Sequence, residues 1–139
     1  MGLPNVHLAG PVPYEDAPAL VRGFDVGLIP YRRGGRVDYV HPKKCYEYLA
    51  AGLPVVATPL PSLMALDVLV RLAAGPDDFG EAIAAALAEA GDPAAASRRR
   101  EVALANSWRT RGTQLRELLA GLPGGAPHAQ VAHQDGDLP

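Results

Sequence analysis

The sequence predicts an α/β fold, a Rossmann-like parallel sheet with helices on both faces. Two observations carry this. Short apolar runs alternate with helical patterns along most of the chain, and each run stops at a Gly or Pro breaker. The order is strand, helix, strand, helix, strand, strand, helix, helix. Such alternation buries a parallel sheet between helices, with right-handed crossovers. In sheets of this kind ligands bind beyond the carboxyl ends of the strands.

The elements follow in order. Val6-His7-Leu8-Ala9 is the first strand candidate, ended by Gly10-Pro11. A helix is expected over residues 15–22, with Glu15 and Asp16 in its first turn and Pro18 near its start. Val26-Gly27-Leu28-Ile29 is the next strand, closed by Pro30. Residues 31–41 show no regular period. A helix over 42–51 has Pro42 at its first position and Gly52 just past its end, the usual asymmetry of helix termini. Val55-Val56-Ala57-Thr58 is a strand, and residues 68–73 are another. Residues 77–90 form an Ala-rich helix with acids first. Asp92-Pro93 starts a further helix, and Ser107 is placed to cap a last one carrying Trp108, Leu115, Leu118 and Leu119.

Composition narrows the functional classes. The chain has 139 residues, 48% hydrophobic and 20% charged, with 13 basic against 15 acidic side chains. This suits a single globular domain or a piece of one, and gives no case for general nucleic-acid binding. A lone Cys45 excludes a disulfide framework within the chain. No apolar run approaches the roughly 20 residues of a membrane span, and no signal peptide is visible, so a cytoplasmic location is expected. Residues 121–139 hold seven Gly and Pro and almost no apolar periodicity. They are expected to be a disordered tail, leaving a working domain over 3–120.

One stretch concentrates charge. Arg32, Arg33, Arg36, Lys43 and Lys44 lie between a strand's carboxyl end and a helix start, opposed only by Asp38. A helix N-terminus with free N–H groups, joined by Arg side chains, suits a phosphate. A solvated basic loop is the alternative. Glu47 lies three residues after Lys44 on the same helix, so the two are expected to share a face. Its carboxylate could accept sugar hydroxyls, or it could form a helical salt bridge to Lys43 or Lys44. His41 is a candidate phosphate contact. Cys45 is expected to be a small buried residue, His7 structural, Arg98-Arg99-Arg100 a solvated helix face, and Trp108 a packing residue. Asp135-Gly136-Asp137 imitates a metal motif, but no metal is expected.

The stretch His41-Pro42-Lys43-Lys44-Cys45-Tyr46-Glu47-Tyr48-Leu49-Ala50-Ala51-Gly52-Leu53-Pro54-Val55-Val56-Ala57-Thr58 has the form Pro-x-Lys-x-x-Glu-Tyr-x-Ala-x-Gly-x-Pro-Val-Val. It resembles the donor-binding signature of GT-B glycosyltransferases of the family 4-like branch (glycosyl transferases group 1). Asn5-Val6-His7-Leu8-Ala9-Gly10 and Phe24-Asp25-Val26-Gly27-Leu28-Ile29-Pro30 look like the preceding strand signatures, and Ser107-Trp108 with its Leu-rich helix resembles the family's C-terminal end. The resemblance covers residues 3–120.

It implies the C-terminal, donor-binding part of a retaining glycosyltransferase. The donor would be a nucleotide-diphosphate sugar, with no cofactor and no metal. Glu47 would bond the ribose hydroxyls. Tyr39, His41, Pro42, Lys43 and Lys44, with Arg36, would lie at the donor sugar and diphosphate, and Pro11 and Val12 beside the base. Glu47 matches the second Glu of a spaced pair in the family, and eight residues before it Tyr39 stands where many relatives carry the first Glu, which marks a subtype. The family's basic phosphate pair and its acceptor domain precede the segments matched here. A separate acceptor domain or self-association is therefore the expected partner, and the chain alone is expected to be inactive. The alternative is a non-enzymatic nucleotide-binding or interaction module that pairs with another subunit.

Overall fold

The computed structural model describes residues 3–122. Three parallel strands lie in the order β1 (Gly27–Ile29), β2 (Val55–Ala57), β3 (Val70–Leu72). Gly27 is in register with Val55, and Val55 with Val70. The helices are α1 (Ala17–Arg22), α2 (Lys43–Ala51), α3 (Pro76–Ala88), α4 (Pro93–Ala105) and α5 (Trp108–Ala120). Among the described residues the contacts divide the chain into two units, one ending at Asn106 and one starting at Ser107. This is the expected α/β architecture.

The pleat of β2 explains the two layers. Successive strand residues point to opposite faces. Val55 and Ala57 join Ile29, Val70, Cys45, Leu49, Leu60, Leu63 and Ala103 in one buried cluster. Val56 joins Ala73 and Ala86 on the other face, with Phe79 and Ile83 of α3 against them. Thus α2 covers one face and α3 the other. All three residues of β2 are buried, as a central parallel strand requires.

The sheet-facing stripe of α2 is Cys45 and Leu49, one turn apart and wholly buried. Tyr48 crosses β1 so closely that a Cβ on Gly27 would lie 2.3 Å from its Cδ2, so position 27 admits only glycine without rearrangement. The outer side of α2 packs on α4. There two arginines of α4 meet the C-terminus of α2. Arg99 Nη1 donates to the Gly52 carbonyl at 3.2 Å and Arg100 Nη2 to the Ala51 carbonyl at 3.3 Å. Cations at a helix C-terminus satisfy otherwise orphaned carbonyls and complement the dipole. Gly52 ends the helix at φ +87°, the left-handed cap.

Several expectations need correction. Residues 6–9 form no strand, and Leu8 is 94% exposed. An apolar run becomes a strand only where a neighbour offers a ladder. His7, expected to be structural, is exposed in the same segment. Helix α1 starts at Ala17, so Glu15 and Asp16 precede it, and Asp16 stands at the N-cap position without a side-chain cap. Pro42 is the N-cap of α2 rather than its first residue. Residues 35–39, expected to be irregular, form a 3₁₀ turn. Strand β3 is shorter than residues 68–73, and Val68 is exposed. Helix α3 begins one residue early, at Pro76, where the Asp78 carboxylate accepts from the Gly75 N–H at 3.1 Å.

The arginine run is the largest correction. Only Arg98 and Arg100 are exposed; Arg99 is 4% exposed. Besides Gly52, it bonds Glu89 at 2.7 Å, and Glu89 also pairs with Arg71. Burial pulls the Arg99 pKa down, as does repulsion from Arg98 and Arg71, while Asp92 opposes this.

In the second unit, Ser107 caps α5 as expected, its hydroxyl accepting from the Thr110 N–H at 3.2 Å. Trp108, expected to pack, is 84% exposed, and Leu115, Leu118 and Leu119 are exposed with it. The tail expected over 121–139 lies outside the described residues from 123 onward, as does Asp135-Gly136-Asp137.

Candidate functional site

The carboxyl ends of β1 and β2 carry the loops that surround the start of α2. Two side-chain bonds tie these loops together. Thr58 Oγ1 donates to the Tyr31 carbonyl at 2.8 Å, and Ser62 Oγ donates to the Val40 carbonyl at 2.7 Å. The chain between β1 and α2 is therefore held from the β2 side. This fixes where α2 begins. Its cap, Pro42, is buried and supplies no side-chain hydrogen bond, while its carbonyl accepts from the Cys45 N–H at 3.0 Å.

Consecutive lysines leave this start on different sides. Lys43 lines a cavity of about 510 Å³ together with Glu47, Tyr14, Pro18, Val21 and Arg100. Lys44 lines a smaller one, about 250 Å³, with Leu28, Ile29, Pro30 and Tyr31. The expected pairing of Glu47 with Lys44 on one face is thus corrected. Glu47 faces Lys43, Oε1 to Nζ 3.5 Å, one full helical turn away. Both side chains are exposed, so the pair adds little to stability. The salt bridge and a ligand-accepting role for Glu47 coexist, since a carboxylate has about four acceptor sites.

The other predicted residues divide. His41 is exposed and its ring stacks on Tyr46 at 5.5 Å, which holds it beside the α2 start. Tyr39 ends the 3₁₀ turn, 91% exposed. Arg36 is exposed within the same turn. Arg33, just before that turn, donates from Nε to Asp38 Oδ1 within it at 3.3 Å, which offsets part of the basic cluster. Pro11 and Val12 lie in an exposed segment without secondary structure, outside the lining of the Glu47 cavity. Tyr14 and Arg22, not singled out from the sequence, do line it, as does Arg100, expected only as part of a solvated helix face. Arg100 lies 53 positions from Glu47, and only the α2–α4 packing brings them together. Among the described residues no three His, Cys, Asp or Glu side chains are placed to hold a metal. No described helix is long and apolar enough to cross a membrane.

Comparison with known proteins decides the family. The profile of the glycosyl transferases group 1 family matches residues 1–90, more than half of the chain. The chain belongs to that family. The match contains α1, α2, all three strands and Glu47. A Bacillus subtilis (strain 168) protein, TuaH, whose provisional name describes a glycosyltransferase of teichuronic acid biosynthesis, is 36% identical over 110 residues. That alignment takes in 76% of this chain and 28% of the relative, so the chain spans under a third of the relative's length. No solved structure matches the chain. Membership in group 1 agrees with the resemblance found in the sequence and gives the Glu47 cavity a chemical context.

Proposed function

We propose that this chain is the donor-binding part of a glycosyltransferase. The reaction moves a sugar from a nucleotide-diphosphate donor to an acceptor hydroxyl. The bond from the sugar's anomeric carbon to the diphosphate oxygen breaks, a bond to the acceptor oxygen forms, and the acceptor proton is released. One observation carries the reading: Glu47 projects into a cavity of about 510 Å³ beside Lys43, at the start of α2. That volume is within the roughly 300–1,000 Å³ of small-molecule sites.

Each residue then has a task. Glu47 accepts hydrogen bonds from the two ribose hydroxyls. The start of α2, with Lys43, Lys44 and Arg36, neutralises the diphosphate, whose negative charge grows as the sugar departs. His41, Tyr39 and Pro42 border the donor sugar, and Pro11 and Val12 lie toward the base. No metal or cofactor is required, and the anomeric configuration is retained; both features rest on the family resemblance. Because acceptor positioning needs a second domain, the chain alone turns over little or no nucleotide sugar.

Titration calorimetry of the chain with uridine and guanosine diphosphates tests this. Binding by the native chain, weakened roughly 10- to 100-fold in Glu47→Ala, is expected from a charge-assisted bond of about 1.5–3 kcal/mol. Absence of binding to either nucleotide contradicts the reading.

A second reading has its own observation. The exposed Trp108, Leu115, Leu118 and Leu119 of α5 suit an interaction module that pairs with another subunit. Self-association abolished by Leu115→Glu and Leu118→Glu, without any nucleotide binding, would favour it.

A further inference from the structure

The amino ends of the strands, at the opposite end of the sheet from the start of α2, gather charge of their own. Val55 and Val70 open β2 and β3, and both are buried. A cavity of about 240 Å³ lies against them. Three arginines line it, Arg71 of β3 with Arg98 and Arg99 of α4. Only two carboxylates, Glu89 and Asp67, line it with them, so the lining holds one positive charge in excess. It shares no residue with the Glu47 cavity.

The carboxylates do not serve these arginines equally. Glu89 pairs with both Arg71 and Arg99. Among the described residues Arg98 forms no ion pair, and neither does Asp67. Asp92 also attracts Arg99, but its carboxylate is engaged by the Ala94 and Ala95 N–H groups as the cap of α4. The Arg99 side chain is only 5% exposed and feels repulsion from both Arg98 and Arg71. Like charges drawn together beside a buried apolar wall leave a positive potential that a shared anion relieves.

We propose that this cavity is a second anion site, which takes a phosphate group between Arg98 and Arg71 with Arg99 behind them. Guanidinium forks only donate, and they match phosphate oxygens two at a time. The cavity's 240 Å³ falls below the roughly 300–1,000 Å³ of sites for larger organic ligands. That size suits the free ion or the terminal phosphate of a monoester and is too small for a nucleotide. Glu89 keeps Arg71 and Arg99 in place, while Arg98 supplies the guanidinium left without a carboxylate. The site is independent of the donor-binding reading.

Amide NMR spectra of the full chain, titrated with inorganic phosphate at fixed ionic strength, test this, with chloride and glycerol phosphate as parallel titrants. Phosphate is expected to shift the amides of residues 70–71, 89 and 95–99 along one saturable curve, with a dissociation constant of about 1 mM. Chloride should not. Arg98 is exposed, so Arg98→Gln keeps the fold, which the same spectra report, and should weaken this binding about tenfold. Arg98→Lys, which keeps the charge and loses the fork, should fall between the two. Lys43→Gln should leave these shifts within about twofold of native affinity, which separates them from any phosphate held at the start of α2. Amides that do not shift, or that shift equally with chloride, overturn the inference. So does an affinity in Arg98→Gln within about twofold of native. Glycerol phosphate binding as tightly as phosphate supports the site as one for monoesters, and binding about tenfold weaker supports it as one for the free ion.

Discussion

Glu47 and Arg99 are both charged residues on helices, yet their surroundings give them opposite work. Glu47 is exposed and pairs with Lys43 at 3.5 Å, its one ionic partner among the described residues. Glu47→Ala should shift the urea midpoint by less than the equivalent of about 0.5 kcal/mol, so a loss of nucleotide binding in that variant reports the site and not the fold. Arg99 is buried and joins Glu89 to the Gly52 carbonyl. Arg99→Ala leaves an unpaired carbonyl and removes a packed stem. The expected cost is about 2–4 kcal/mol, seen as a lower midpoint in urea. Cys45 titrates against the core. Burial pushes its thiol from 9.0 up to about 11. The native state thus holds a proton that the unfolded state releases between those values, so stability is full below pH 9 and falls as pH rises toward 11. Burial also raises the Tyr48 pKa, aided by Glu47, and adds a loss of the same sign. Urea midpoints measured from pH 8 to 11 should decline, and decline less in Cys45→Ala. The buried thiol should also resist a thiol reagent at pH 8 until the chain is unfolded. At this scale the sequence was readable where a residue's partner is local. The Lys43–Glu47 turn was within reach of spacing alone. The burial of Arg99 was not, because Glu89 is 10 positions away and Gly52 is 47.

At the level of elements, α2 is the hinge of the account. It covers one sheet face, receives the arginines of α4 at its end, and presents Glu47 outward. Its boundaries were legible because Pro42 and Gly52 bracket a 3.6-period stripe, and the Pro54-Val55-Val56 run that follows admits only a buried strand. Gly52→Ala tests the end of the helix. An L residue at φ +87° is strained, and its Cβ would press on Arg100. We expect a loss of about 1–3 kcal/mol, measured by chemical denaturation, with weaker α2–α4 packing. The alternation of apolar runs located β1, β2 and β3 to within a few residues. It failed at residues 6–9, since periodicity specifies a willing strand but not the neighbour it needs. It also could not divide Lys43 from Lys44 between two cavities. That division follows from the 100° step of the helix and from which elements flank it.

As a whole molecule, the described chain carries a three-stranded sheet, a cavity of about 510 Å³ along α2, and a separate helical unit with an exposed apolar face. Under the donor-binding reading proposed above, acceptor positioning is left to another domain. The purified chain should therefore show no release of free nucleotide diphosphate from a nucleotide sugar, measured by a coupled assay, even where it binds the nucleotide. The central claim is that the Glu47 carboxylate holds the ribose of a nucleotide donor. A double comparison tests it most directly: affinities of the native chain and of Glu47→Ala for uridine diphosphate and its 2′-deoxy analogue, by calorimetry. The native chain should lose roughly tenfold on removal of the hydroxyl, about 1.4 kcal/mol, and Glu47→Ala should not distinguish the two ligands. Equal discrimination by both proteins would contradict it.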